Sequence, residues 1–136
     1  FAFIARFGQV EPLQPLAQMA FDQRAAEHKR SYQRALSAGV RIAVGTDMYR
    51  VPPLDAYVDE LNMLVRYGMT NAQALQAATA TGAALIGAEK EFGVIAPGMR
   101  ADLVAMQGNP LEDLDALLEI SMVCKSGKRV LLPVND

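Results

Sequence analysis

The stretch V-R-I-A-V-G-T-D at residues 40–47 limits the fold more than any other part of the chain. Val40, Ile42 and Val44 alternate with Arg41, Ala43 and Gly45, so one face is β-branched throughout while the other shrinks to a residue with no side chain. Such period-2 alternation predicts a buried strand. Gly39 just before it predicts the stop of a helix, and Gly45-Thr46 lets the chain turn where the strand ends. The carboxylate of Asp47 therefore falls at the strand's C-terminal mouth, the place where α/β folds bind ligands.

Helical patterns flank that strand. Phe21, Ala25, Tyr32, Ala35 and Leu36 recur at helical spacing between Phe21 and Ala38, with Arg24, Glu27, Lys29 and Arg34 on the other faces. Before them, Gly8, Pro12 and Pro15 break any periodicity, so Phe1 to Phe7 reads as a short strand or turn followed by a loop. After Asp47 a loop with Pro52-Pro53 leads into a second helix, Leu54 to Tyr67, whose stripe is Leu54, Tyr57, Val58, Leu61, Leu64 and Val65. Asp55, Asp59 and Glu60 lie toward its N-terminus and Arg66 near its end, matching the helix dipole, and Gly68 stops it. Thr70 and Gln73 in T-N-A-Q form a capping-box pattern. Two short alanine-rich helices follow, Ala72 to Ala78 and Thr81 to Ile86, small enough in side chain to pack closely and closed by Gly87.

Beyond Glu91 the period becomes strand-like. Gly93-Val94-Ile95 leads through the turn Pro97-Gly98 to Ala101–Met106, and Asn109-Pro110 makes another turn. Leu111 to Leu118 suits one helical turn or two, and Ile120–Lys125 and Lys128–Leu132 flank Ser126-Gly127, a two-residue hairpin signal.

Composition excludes several functions. A chain of 136 residues with 51% hydrophobic and 21% charged content can bury a core. Thirteen basic against fifteen acidic residues give a net charge of -2, which leaves no electrostatic footprint for nucleic acid or an anionic membrane. The single Cys124 admits no internal disulfide and lies in an apolar run, so a buried thiol and a reducing, cytoplasmic setting are expected. No apolar run approaches the roughly 20 residues a membrane-spanning helix needs. The first residue is Phe, and Phe1 to Phe7 lacks a signal peptide's basic start, so the natural start is expected upstream.

Order and spacing together give a resemblance. A-L-S-A-G-V-R-I-A-V-G-T-D at 35–47 resembles the helix, glycine and last barrel strand of the amidohydrolase superfamily of metal-dependent hydrolases, with imidazolonepropionase-like and prolidase-like members the nearest. L-V-R-Y-G-M-T-N-A-Q-A-L-Q-A-A-T at 64–79 and G-A-A-L-I-G at 82–87 resemble the alanine-rich helices that follow in those enzymes. G-V-I-A-P-G-M-R-A-D-L-V at 93–104 resembles the return into their small β-sandwich, G-N-P-L-E-D at 108–113 its surface turn, and V-C-K-S-G-K-R-V at 123–130 its closing hairpin. The resemblance implies an α/β fold: residues 1–90 as the C-terminal portion of a (β/α)8 hydrolase barrel, residues 91–136 as part of a small β-sandwich. It also implies hydrolysis of a C–N bond in a small-molecule amide, cyclic amide or peptide-like substrate, by water activated on a divalent metal, zinc being the expected ion.

For one residue the implied role is specific. By position Asp47 inherits the family aspartate that ligates the metal and accepts a proton from the metal's water; a carboxylate beside a divalent ion can do both. The family's His-x-His pair, its metal-bridging lysine or equivalent and its two further histidines have no counterpart here and are expected upstream, so the chain alone should be inactive. The loop M-Y-R-V-P-P after Asp47 also lacks the His-Gly of many relatives. Thr46 could orient Asp47 from beside it, and Tyr49 and Arg50 could touch substrate or form a solvated loop. His28, the only histidine, shares a helical face with Phe21 and Tyr32, which favours a packed or half-exposed ring over a metal ligand. Asp102 in A-D-L-V after a P-G turn reads as structural.

Plainer readings stand beside these. Asp47 could be a turn aspartate capping Val51 or the nearby loop. The whole chain could be a truncated, non-catalytic relative that packs on other chains through exposed strand edges, a tendency that also predicts homo-oligomers of the fragment. An independent α/β binding domain is a third reading, and it leaves the ordered motifs unexplained.

Overall fold

The computed structural model describes residues 15–47 and 54–130. Helix α1 (Pro15–Ser37) starts earlier than Phe21, because Pro15 suits a first helical turn and good helix formers follow it even though they carry no clear apolar stripe. It ends on Gly39 at φ 72°, where the Gly39 N–H donates to the Leu36 carbonyl at 3.1 Å and the Val40 N–H to the Ala35 carbonyl at 3.0 Å. This Schellman pattern satisfies carbonyls that a helix end would otherwise leave without donors. It recurs at Gly68 and Gly87, the other two helix stops expected from the sequence.

From Val40 to Asp47 the chain lies outside regular secondary structure and pairs with no strand among the described residues, which corrects the strand expected there. Alternation reports one-sided burial, and a ladder needs a neighbour as well. The burial half of the expectation holds for Ile42 and Val44, which pack half-buried against the core. Val40 is instead 54% exposed, its N–H committed to the turn that closes α1. A backbone bond from the Val44 N–H to the Ala77 carbonyl, 3.2 Å, fastens the segment to the helices.

Helix α2 (Leu54–Arg66) turns Ala56, Val58, Leu61 and Leu64 inward. Helix α3 (Asn71–Ala78) begins with the expected capping box: the Gln73 N–H donates to Thr70 Oγ1 at 3.2 Å and the Thr70 N–H to Gln73 Oε1 at 2.8 Å. Helix α4 (Ala80–Leu85) follows after a break at Thr79. One core joins these pieces, built from Tyr32 of α1, Leu61 and Leu64 of α2, Met69 from the turn that follows α2, Ala74 and Ala77 of α3, and Leu114 from the C-terminal part. Within it the Tyr32 hydroxyl donates to the Leu64 carbonyl at 3.5 Å, and the Tyr32 and Tyr67 rings meet edge to face at 5.9 Å.

The sheet is a three-stranded antiparallel meander, β1 (Leu103–Met106), β2 (Ile120–Lys125) and β3 (Lys128–Val130), in the order β1-β2-β3. Ser126 and Gly127 both have positive φ and Lys125 pairs with Lys128, so the predicted two-residue hairpin forms. Gly93-Val94-Ile95, expected to be extended, is an irregular bend: Gly93 is tucked against α4 at φ 105° and Ile95 stands 90% exposed. Between β1 and β2 a 3₁₀ helix (Leu114–Leu118) forms a single tight segment, which resolves the choice left open for Leu111 to Leu118. Leu114 sinks into the helical core, and hydrogen bonds from Asn62 to Asp115 and from Asn71 to the Leu111 carbonyl hold the segment to α2 and α3. Cys124 is half-buried in β2 between Leu103 and Arg129. Among the described residues no helix is long and apolar enough to cross a membrane.

Candidate active-site edge at Asp47

Three residues past the Val44 anchor, Asp47 stands exposed at φ 48°. The left-handed region costs most side chains roughly 1–2 kcal/mol, and aspartate is one of the few types that visits it, because its short carboxylate can bond locally. Gly45 is exposed with open space around it, and Thr46 is half-buried. Asp47 is thus exposed three residues past the point where the Val44 N–H is held.

The other residues singled out by sequence fall as follows. Tyr49 and Arg50 lie outside the described residues, as do Phe1 to Phe7 and the Pro52-Pro53 loop. His28 is exposed on α1 and not packed, whereas Tyr32, on the same face one turn further on, is buried. Sequence reasoning missed Glu60, a carboxylate only 3% exposed on α2. Its place next to Leu61 was legible, but a dipole-matching position near a helix start normally signals a solvated side chain. Among the described residues no three His, Cys, Asp or Glu side chains converge to hold a metal ion.

Asp102 does structural work. It accepts hydrogen bonds from Lys125 Nζ at 2.6 Å, the Ser126 N–H at 2.7 Å and Arg100 Nε at 3.1 Å, clamping the hairpin turn to the start of β1. Arg100 in turn stacks on Phe92, 4.5 Å from the ring centroid, and reaches Glu91. Lys125 above all, then the Ser126 N–H, hold the Asp102 carboxyl down to about 2, with Arg100 adding to them. A depressed carboxyl stabilises the folded state fully above the unfolded value near 3.8 and loses that contribution as pH falls toward about 2. Protection of the amides in the 125–128 turn, referred to the intrinsic exchange rate at each pH, should therefore fall on acidification from pH 5 to 2, and Asp102→Asn should show low protection at both pH values. Equal protection of the two proteins at pH 5 would remove the clamp from the account.

The Amidohydrolase family's sequence profile matches residues 15–130. Ochratoxinase of Aspergillus niger is 38% identical over 109 residues, 76% of this chain and 22% of its own length. The crystal structure of A. niger ochratoxinase superposes with a TM-score of 0.81 at 33% identity, covering 94% of this chain and 30% of that one. Imidazolonepropionase of Cutibacterium acnes is 35% identical over 129 residues, 89% of this chain and 31% of its own. The crystal structure of a putative prolidase from Bifidobacterium longum matches at 41% identity with a TM-score of 0.68, covering 75% of this chain and 26% of that one. The chain thus spans about a fifth of ochratoxinase and about a third of imidazolonepropionase. With a profile that runs from the first turn of α1 to the end of β3, and relatives that agree in both sequence and fold, the chain belongs to the amidohydrolase family.

Proposed function

We propose that this chain is the C-terminal part of a metal-dependent hydrolase acting on C–N bonds of amide, cyclic amide or peptide-like small molecules. The observation that carries the reading is Asp47, exposed at positive φ on the tip of an anchored segment in a chain of this family. Relatives named imidazolonepropionase and prolidase support the substrate class. Residues 1–90 would belong to a barrel and residues 91–136 to a β-sandwich, with Thr46 orienting Asp47; Tyr49, which lies outside the described residues, would be a candidate substrate contact.

The described residues alone do not make a metal centre: they bring no three candidate ligands together, whereas zinc sites use three or four protein donors. Asp47 fits as one oxygen donor of such a set, and the remaining donors would come from elsewhere. A bound divalent ion, zinc first among candidates, supplies an activated water. Asp47 itself would offer that ion a carboxylate oxygen and would accept a proton, as a solvent-exposed carboxylate is able to do.

A second reading, a non-catalytic module that docks on other chains or on its own copies, has an observation in its favour. Leu85, Ile86 and Ile95 are 75%, 69% and 90% exposed, apolar side chains that docking on another chain would cover. Metal and turnover separate the two. The whole protein should hydrolyse X-Pro dipeptides or N-acyl amino acids and lose that activity to a chelator, while this chain alone, dialysed against a weak chelator, should hold far less than one equivalent of zinc. Chelator-insensitive hydrolysis, or stoichiometric zinc kept by the chain alone, would overturn the proposal.

A further inference from the structure

Thr79 replaces a helical backbone bond with a side-chain one. In an unbroken helix its N–H would donate to the Leu75 carbonyl. Here the Thr79 N–H donates to the Gln76 carbonyl at 3.2 Å, and the hydroxyl takes the Leu75 carbonyl at 2.7 Å. The backbone at Thr79 sits at φ -124° and ψ -91°, far from helical, so the hydroxyl satisfies an acceptor that the break between α3 and α4 removes from the ladder. Two residues before the break, the Ala77 carbonyl accepts from the Val44 N–H at 3.2 Å. Gly45 and Thr46 alone separate Val44 from Asp47.

We propose that Thr79 is a positioning residue for Asp47: its hydroxyl holds the α3–α4 break that aims the Ala77 carbonyl at the Val44 N–H, and that bond fixes where residues 45–47 present the carboxylate. The proposal rests on the reading of Asp47 as a functional carboxylate. Only Gly45 and Thr46 lie between the anchor and Asp47, and a Cβ added at Gly45 would meet nothing within 4 Å among the described residues. Release of the anchor therefore reaches the tip, and a displacement of about 1 Å at a reacting group can cost about 100-fold in rate. If the break closes, the Ala77 carbonyl turns along the helix axis toward the N–H four residues on, and Val44 loses its acceptor. Thr79 is itself exposed, so its replacement leaves the core packing intact.

The test compares Thr79→Val, which keeps the shape and loses the hydroxyl, with Thr79→Ser, which keeps the hydroxyl, and with Asp47→Asn, all in the active whole enzyme. Readouts are amide exchange at Val44 together with kcat and KM. Thr79→Val should speed Val44 exchange at least about tenfold and lower kcat at least about tenfold with KM within about threefold, while Thr79→Ser restores both. Should Thr79→Val fail to fold, Thr79→Ala is measured in its place. Unchanged Val44 exchange overturns the proposal, and so does faster exchange with normal kcat when Asp47→Asn is inactive. An active Asp47→Asn enzyme overturns the functional reading and this role with it, and a Val44 exchange that still responds to Thr79→Val identifies that failure as one of the carboxylate rather than of the anchor.

Discussion

Asp47→Asn in the active enzyme is expected to lower turnover by at least about 100-fold without unfolding the protein, the scale that general base function contributes. The structure makes this a clean substitution. Asp47 sits at φ 48° and is exposed, and asparagine tolerates the left-handed region as well as aspartate does. The side chain keeps its size, so backbone strain and packing carry over and only the charge and the proton capacity are lost. A structural turn aspartate predicts the reverse pattern, a lower thermal midpoint with normal activity per folded molecule. His28→Asn, at an exposed position on α1, should leave both quantities near wild type. Thermal midpoint and metal-saturated rate, measured on both variants, decide the matter, and a fully active, metal-replete Asp47→Asn enzyme would remove the assignment.

What could be read from the sequence was local. Gly39, Gly68 and Gly87 stop helices through bonds that span at most five residues, and the Thr70–Gln73 capping box and the Ser126-Gly127 hairpin are equally short in range. Each follows from residue types a few positions apart. What escaped depends on contacts between distant parts of the chain. The alternation of Val40 to Val44 marked Ile42 and Val44 as covered but also Val40, which is exposed, and it gave a ladder partner no identity; the segment is held by Ala77 and by packing. Leu114 fell in a stretch that suited one helical turn or two, and it is 2% exposed in the helical core, where Asn62 and Asn71 bond to Asp115 and to the Leu111 carbonyl on either side of it. The site shows the same division. Asp47 was legible as the end of a segment, whereas the Val44–Ala77 bond that holds it, and the break at Thr79 behind that bond, required the fold.

Gly93→Ala is expected to cost about 2–5 kcal/mol of stability, a large share of the roughly 5–15 kcal/mol that holds a domain folded. Two independent effects add at this position. Its φ of 105° lies where side chains are strained whatever the surroundings. A Cβ there would also meet Ala83 Cβ at 2.8 Å, Ala80 Cα at 3.2 Å and the Thr79 carbonyl oxygen at 3.2 Å. Two of those three atoms are backbone, so the neighbours cannot yield by changing rotamer, and the 93–95 bend or α4 must shift instead. Gly98→Ala separates the two effects, because Gly98 has a similar φ of 84° with nothing within 4 Å of its added carbon. It should cost only the conformational part, about 1 kcal/mol. Removing the nearest clash with Ala83→Gly in the Gly93→Ala background should return only part of the loss, since the contacts with Ala80 and Thr79 remain and a glycine inside α4 carries a cost of its own. Denaturant midpoints at unchanged m-value measure all three, and equal losses for Gly93→Ala and Gly98→Ala would show that strain alone, without the close approach to α4, sets the need for glycine at 93.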